Sequence, residues 1–168
     1  DVAFTLNNFA LLYWEQGKYA EAEPLFQRAL RIWEQALGAD HPNATHTLNN
    51  LALLYKSQGK YVEAEPLFQR ALRIWEQGMG ADHPLVAHTL EDLADLYKDQ
   101  GKYMEAEPLF QRSLHIREQA IGPEHPHTAR ALNNLAALYR EQGQYAEAEP
   151  LFLRALRIRE QYLGQHHP

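Results

Sequence analysis

The sequence of 168 residues contains no cysteine, and no apolar run approaches the ~20 residues that a membrane-spanning helix needs. The lack of cysteine excludes disulfides, thiolate metal sites and cysteine nucleophiles, and it fits a reducing compartment. Nothing at the start of the chain is typical of a signal peptide. We therefore expect a cytoplasmic protein with no membrane segment.

Basic residues are also in deficit. Lys and Arg number 16 against 22 Asp and Glu, so the formal charge is -6. This balance disfavours nucleic acid or an anionic membrane as the main partner. Hydrophobic residues make up 45% of the chain, which excludes wholesale disorder. Because the chain begins at Asp1 without a Met, we expect it to be an excerpt of a longer protein.

The usual signatures of catalysis are missing. There is no glycine-rich phosphate loop and no H-E-x-x-H motif, and the only serines, Ser57 and Ser113, lie outside any nucleophile-elbow context. Nothing converges on an active site. We therefore expect that the chain is not an enzyme and that it carries no cofactor.

Nine histidines raise the question of a metal site, especially at His125-Pro126-His127 and His166-His167. These pairs lie at a turn and lack an obvious third ligand. Four histidines moreover occupy one repeated position, always directly before proline. They are His41, His83, His125 and His167. Helix capping or loop packing is therefore the preferred interpretation, and no metal is expected.

The chain divides into four units of 42 residues, 1–42, 43–84, 85–126 and 127–168, which align without a gap. One residue type fills 21 of the 42 positions in all four units, so internal repetition is the dominant signal. The sequence predicts a single repeat domain, 1–168, as part of a longer array.

Each unit contains two helical patterns. In the first unit, helix A is marked by Leu6, Phe9, Ala10 and Tyr13. Helix B is marked by Ala22, Phe26, Ala29, Leu30, Trp33 and Leu37. Gly17 and Gly38 are placed to end these helices, and Pro24 is expected in about the first turn of helix B. Two antiparallel helices cannot bury both apolar faces alone, so the units must stack as an α-solenoid.

The second unit carries the residues of a known repeat family. They are Asn49-Leu51-Ala52-Tyr55, Gly59-Lys60-Tyr61, Glu63-Ala64, Phe68 and Ala71-Leu72. This pattern resembles the tetratricopeptide repeat, whose unit is normally ~34 residues. The extra residues lengthen helix B and add a Gly-X-X-His-Pro loop, as in the repeats of kinesin light chains. The expected fold is all-α, a right-handed α-solenoid of four antiparallel helix pairs.

The aromatic stripes have a packing interpretation. We expect the equivalent tyrosines to pack on the core rather than stack on bases. They are Tyr13, Tyr55, Tyr97 and Tyr139. Trp33 and Trp75 continue the helix B seam, where the later units carry Arg117 and Arg159. These arginines are expected to extend their charged ends to solvent.

The face of helix A opposite to the core is the candidate binding surface. Helical periodicity places repeat positions 4, 8, 11 and 15 there, flanked by 7 and 14. The candidate groove residues are Asn7, Asn8, His46, Asn49, Asn50, Leu53, Lys56, His88, Asp92, Asp95, Lys98, Arg130, Asn133, Asn134 and Arg140. A carboxamide can pair with both the C=O and the N–H of an extended peptide. Alternatively, one Asn of each pair ties adjacent helices together.

The resemblance to kinesin light chains implies that groove amides and basic residues hold short cargo peptides, including motifs that combine Trp with acidic residues. The residues concerned would be Asn8, Asn50, Asn134, Lys56, Lys98 and Arg140. The third unit departs from this pattern, with Glu91-Asp92 in place of the Asn pair and with Asp95 and Asp99 added. A mixed-charge or neutral peptide is therefore expected in preference to a uniformly acidic one.

Two classes of function remain open. The first is a scaffold that binds an extended peptide or a partner protein in the groove. The alternative is an architectural solenoid with end-to-end self-association through uncapped terminal units, or an idealised or designed repeat array. Residues cited for the uncapped ends are Phe4, Phe9, Leu151, Leu156, Ile158 and Tyr162. Buried equivalents are expected at Leu6, Leu48, Leu90 and Leu132.

Overall fold

The computed structural model describes residues 2–166, with side chains as far as residue 164. Helices occupy most of this range, and no β-strand occurs within it. The helices are α1 (Val2–Glu15), α2 (Tyr19–Leu37), α3 (Pro42–Ser57), α4 (Tyr61–Met79), α5 (Pro84–Asp99), α6 (Tyr103–Ile121), α7 (Pro126–Glu141) and α8 (Tyr145–His166). The chain forms two compact units, Asp1–Ala81 and Asp82–Pro168. The first contains α1 to α4 and the second α5 to α8.

Glycine ends helix A as predicted. In the second repeat Gly59 has φ 72°, a left-handed conformation that costs glycine little. The N–H of Lys60 donates to the carbonyl of Tyr55 at 2.9 Å, and the N–H of Gly59 donates to that of Lys56 at 2.9 Å. These two bonds satisfy carbonyls that the helix end leaves open, in a Schellman motif.

The histidine before each proline caps the next helix. Nδ1 of His41, His83 and His125 accepts a hydrogen bond from the backbone N–H two residues later, at 3.1, 3.2 and 3.1 Å. Proline follows at the first helical position, where no N–H is needed. The capping interpretation is confirmed for these three residues. His167 lies outside the described residues.

No cluster of three or more potential metal ligands occurs among the described residues. The His166-His167 pair falls outside the side chains that the structure describes. Over the same part of the chain, no helix combines the length and the apolar character needed to cross a bilayer.

The prolines of helix B lie deeper than predicted. Pro24 is inside α2, which already begins at Tyr19, and Pro66, Pro108 and Pro150 are placed in the same way. The predicted place in about the first turn is wrong, because the chain turns into helix B directly after Lys18. Each proline therefore removes one i→i−4 backbone bond from the second turn.

Each helix A packs on the helix pair before it. In the first unit Leu51 and Leu54 join Ala10, Ala22 and Phe26 in one buried cluster. The second unit repeats the arrangement. Its cluster contains Ala94, Ala106, Phe110, Leu135 and Leu138. These clusters are the apolar part of each junction between neighbouring repeats.

Two polar contacts accompany the junction in the first unit. The Tyr55 hydroxyl donates to Glu23 Oε1 at 3.0 Å and accepts from Gln27 Nε2 at 3.1 Å. Arg70 Nη1 donates to Glu34 Oε1 at 2.7 Å. In the second unit, the same contacts are made by Tyr139 with Glu107 and Gln111, and by Arg154 with Glu118. Both junctions therefore use one set of repeat positions.

The four equivalent leucines are not all buried. Leu48, Leu90 and Leu132 are fully buried, but Leu6 is only half-buried. The expectation for Leu6 is wrong because Leu48 packs partly under Leu30 of α2, the preceding helix B. No helix pair precedes Leu6 in the described residues.

Candidate functional site

The two positions of the Asn pair differ in accessibility. Position 7 is buried at Asn7 and Asn49, each 8% exposed, whereas Asn8 is exposed and Asn50 half-buried. The order agrees with the predicted orientation, in which position 8 points more directly away from the core. In the last repeat both Asn133 and Asn134 are half-buried.

The first unit contains a pocket of about 490 Å³ on its helix A face. It is lined by Phe4, Asn7, Trp33, Asn43, His46, Thr47 and Asn50. Asn7, His46 and Asn50 were predicted from the sequence as groove residues. Trp33, Asn43 and Thr47 were not. Trp33 was assigned to the helix B seam because its position repeats with the core pattern.

Amides link α1 to α3 in this pocket. Asn50 Nδ2 donates to Asn7 Oδ1 at 3.1 Å, and Asn7 Nδ2 lies 3.5 Å from Asn8 Oδ1. Across the neighbouring helices, the His46 ring meets the edge of Trp75 with 5.5 Å between centroids. Asn7 and Asn50 therefore tie adjacent helices together, as the alternative interpretation of the Asn pair predicts.

The second unit has a smaller pocket, of about 210 Å³, at the equivalent place. Its lining residues are His88, Glu91, Asp92, Asp95, Arg130 and Asn134. All but Glu91 belong to the predicted groove set. The lining is mainly charged, in contrast to the amide and aromatic lining of the first unit.

A buried carboxylate organises this second pocket. Glu91 is 3% exposed, and its Oε1 accepts from Ser113 Oγ at 2.7 Å and from Arg117 Nε at 2.6 Å. Its Oε2 accepts from Arg130 Nη2 at 2.8 Å. Glu91 therefore joins α5, α6 and α7 through charge-assisted hydrogen bonds.

Two sequence interpretations are corrected by this network. Arg117 does not extend to solvent but is buried beside Glu91, because a buried carboxylate needs charged partners. Glu91 is likewise not an open groove charge. The signal was present in the sequence as simultaneous changes between repeats. Where the second unit has Glu91, Ser113, Arg117 and Arg130, the first has Asn7, Ala29, Trp33 and His46.

The other acidic residues of the third repeat also have basic neighbours. Lys98 Nζ lies 2.8 Å from Asp95 Oδ1, and His88 Nε2 lies 3.9 Å from Asp92 Oδ2. Burial lowers the pKa of Lys98, but the hydrogen bond and charge of Asp95 outweigh it, so the net pKa is raised. The negative potential inferred from residue counting is therefore reduced at this pocket.

The remaining predicted residues do not line these two pockets. Asn8 is exposed, Asn49 is buried, and Leu53, Lys56, Lys98 and Asn133 are half-buried. Arg140 borders a separate cavity of about 380 Å³ beside α8. The structure thus groups part of the predicted set into one pocket per unit.

The family profile described as Tetratricopeptide repeat matches residues 1–77, 44–114 and 85–161, and the chain belongs to this family. Its repeats are of the kinesin-light-chain-like type, and the fold is the predicted all-α tetratricopeptide repeat solenoid.

Solved structures with similar repeats include BtubC (BKLC) from P. vanneervenii, with 27% identity and a TM-score of 0.88 over 99% of this chain and 66% of that one. The chain thus spans just under two thirds of the length of BtubC. A Podosopora anserina protein of kinesin-light-chain type, with nearly identical TPR-like repeats, has 25% identity and a TM-score of 0.80, covering 95% of this chain and 76% of that one. A comparison with curated proteins finds no match.

Proposed function

We propose that the chain is a non-enzymatic scaffold that binds an extended segment of a partner protein on its helix A face. Tetratricopeptide repeats generally mediate protein–protein interaction. The observation that carries the finer proposal is the pocket of about 490 Å³ in the first unit, which combines aromatic walls with amide groups.

The lining of that pocket suits a peptide. Phe4 and Trp33 supply apolar surface, and Phe4 is 61% exposed although it is a large aromatic side chain. Asn50 spends one N–H on Asn7, while a carboxamide offers a second N–H and an acceptor oxygen. These are the groups that the C=O and N–H of an extended backbone require. Pockets of this kind, apolar with a few placed polar groups, are typical of binding sites.

The charged pocket of the second unit supports a mixed-charge or neutral partner over a uniformly acidic one. Arg130 is held by Glu91, and its side chain remains 45% exposed. Asp92 and Asp95 lie beside it. A ligand group at this place meets both signs of charge, so a long acidic run gains little there.

A peptide selection with matched variants tests the proposal. Peptides selected from a random library on the whole chain are expected to bind Phe4→Glu at least about ten-fold more weakly, because the new carboxylate opposes an apolar ligand group. The control is Val62→Glu, which places the same charge on a side chain that is 84% exposed and outside the pocket.

Binding is measured by fluorescence anisotropy of labelled peptides, with circular dichroism to verify that both variants are folded. Failure of the library to yield any peptide, or equal binding by Phe4→Glu and the unmodified chain, contradicts the groove proposal.

A second candidate function is architectural, with end-to-end association between copies of the chain. Large apolar side chains are exposed on α1 and α8. They include Phe9, Leu12, Leu153 and Leu156. Sedimentation equilibrium up to about 1 mM tests this candidate, since a dissociation constant in that range corresponds to only ~4 kcal/mol. A constant monomer mass over the whole range rejects it.

A further inference from the structure

The junction between repeats is built in the same way in both units. Leu51 and Leu54 of α3 pack over Ala22 and Phe26 of the preceding repeat, and both leucines are buried. Leu135 and Leu138 do the same in the second unit. The contact is heterologous, because one surface of a repeat covers the opposite surface of its neighbour.

The cavity of about 380 Å³ beside α8 is the uncovered half of such a junction. It is lined by Arg140, Tyr145, Ala148, Glu149, Phe152 and Leu153. Ala148 and Phe152 occupy the repeat positions of Ala22 and Phe26. Within the described residues, no helix A covers these two side chains as α3 covers their equivalents.

Helix α1 carries the complementary half. Phe9 and Leu12 occupy the repeat positions of Leu51 and Leu54, but they are 43% and 47% exposed. Tyr13 follows at the position of Tyr55, and its ring lies 4.5 Å from that of Phe9 between centroids. The apolar surface that buries itself inside each unit is therefore open on α1.

The polar contacts of the junction have matching ends too. Tyr13 and Arg28 stand at the positions of Tyr55 and Arg70, which donate to Glu23 and Glu34. The acceptors at the other end of the chain are Glu149 and Glu160, and both are exposed. Donors at one end and acceptors at the other give charge complementarity between two copies.

Two substitutions make the ends more apolar than the internal junctions. Position 9 is Phe in the first repeat and Leu in the others, and position 27 is Leu153 in the last repeat and Gln in the others. A polar end would be expected of a terminal repeat that stays in water. Both changes instead add apolar surface to the two halves of one contact.

We propose that the cavity at Ala148 and Phe152 is a docking site for helix α1 of a second copy, in the register of the internal junctions. Phe9 and Leu12 enter the cavity, the Tyr13 hydroxyl donates to Glu149, and Arg28 pairs with Glu160. This inference rests on the second candidate function, end-to-end association, and specifies its interface. The contact is heterologous and does not close on itself, so it continues from copy to copy.

The test uses one variant at each end. Leu12→Glu places a charge on the α1 half, and Leu153→Glu places one on the cavity half; both side chains are about half exposed, so the fold is preserved. Each variant alone is expected to weaken association at least about ten-fold in sedimentation velocity. The matched control, Met104→Glu, changes a side chain that is 88% exposed and outside any junction position.

Mixing the two variants distinguishes this contact from a symmetric one. Leu12→Glu retains an intact cavity, and Leu153→Glu retains an intact α1, so an equimolar mixture is expected to form a 1:1 dimer and nothing larger. Association of either variant as strong as that of the unmodified chain, or a mixture that stays monomeric, overturns the docking proposal while end-to-end association by another surface survives. A monomeric unmodified chain rejects both.

Discussion

A single repeat position can demand several compensating residues elsewhere. At position 7 the first unit has an amide, Asn7, which is satisfied by another amide, Asn50. The second unit has Glu91, and a buried carboxylate requires charged partners. Arg117 and Arg130 supply them from two further helices. The identity of one side chain therefore fixes its surroundings.

Removal of this carboxylate is expected to be strongly destabilising. Glu91→Asn leaves the Arg117 charge buried without its partner, which costs about 3–5 kcal/mol. Urea denaturation measures the loss. As a control, Glu91→Asn is combined with Ser113→Ala, Arg117→Trp and Arg130→His, the residues of the first unit. The combined variant is expected to recover most of the stability. A combined loss as large as that of the single variant argues against the network.

A histidine beside this network makes stability depend on pH. Burial, and then the positive charge of Arg130, lower the pKa of His88 below its ordinary value of 6.5. Arg117 lowers it further, while Glu91 raises it. The unfolded chain therefore binds a proton near pH 6.5 that the folded chain resists, and stability falls as the pH drops through this value.

We expect the free energy of unfolding to fall less between pH 7.5 and pH 5.5 in His88→Gln than in the unmodified chain. The other histidines are common to both proteins and cancel in the comparison. Urea denaturation at the two pH values provides the measurement. An identical fall in both proteins contradicts the role assigned to His88.

At the scale of the helices, boundaries follow from local sequence. The His-Pro dipeptide places a cap acceptor and a residue without an N–H at the start of helix A, and a left-handed glycine closes its end. These signals act over a few residues, so the sequence predicts the helix pairs well. Proline is misplaced in helix B because no comparable local signal marks the start of that helix at Lys18 or Lys60, neither of which makes a side-chain cap bond.

Loss of a histidine cap is expected to cost about 1 kcal/mol. His83→Ala removes the acceptor for the N–H of Leu85, which then lies at the helix start without this partner. His83→Asn supplies another capping acceptor and is expected to retain most of the stability. Thermal denaturation compares the three proteins. Equal losses in both variants indicate that the ring packs rather than caps.

Interactions between distant parts of the chain were harder to predict. Asn7 and Glu91 occupy one repeat position and share one helical phase, so periodicity assigns them the same surroundings. Their real surroundings depend on residues of other helices, such as Arg117 and Arg130. Charge counting treated Glu91 as an open groove residue for this reason. Trp33 was assigned to packing alone, although it also forms a pocket wall.

Within the whole molecule, helices that have a neighbour on each side should resist opening most. In the first unit α3 packs against α1, α2 and α4, whereas α1 packs against α2 and, more sparsely, α3. Local opening exposes less buried surface at α1. We therefore expect faster amide exchange in α1 than in α3 at low chain concentration, measured by mass spectrometry. Equal protection of the two helices contradicts this expectation.

The junction contacts also bear on how such a gene can change length. Tyr55–Glu23 and Arg70–Glu34 join residues 32 and 36 positions apart, and the same separations recur in the second unit. Gain or loss of 42 codons within the first two repeats keeps these residues in frame. A breakpoint between Glu91 and Arg117 instead strands a carboxylate without its guanidinium. Recombination can therefore copy or delete the early repeats singly, whereas the last two are inherited as a block.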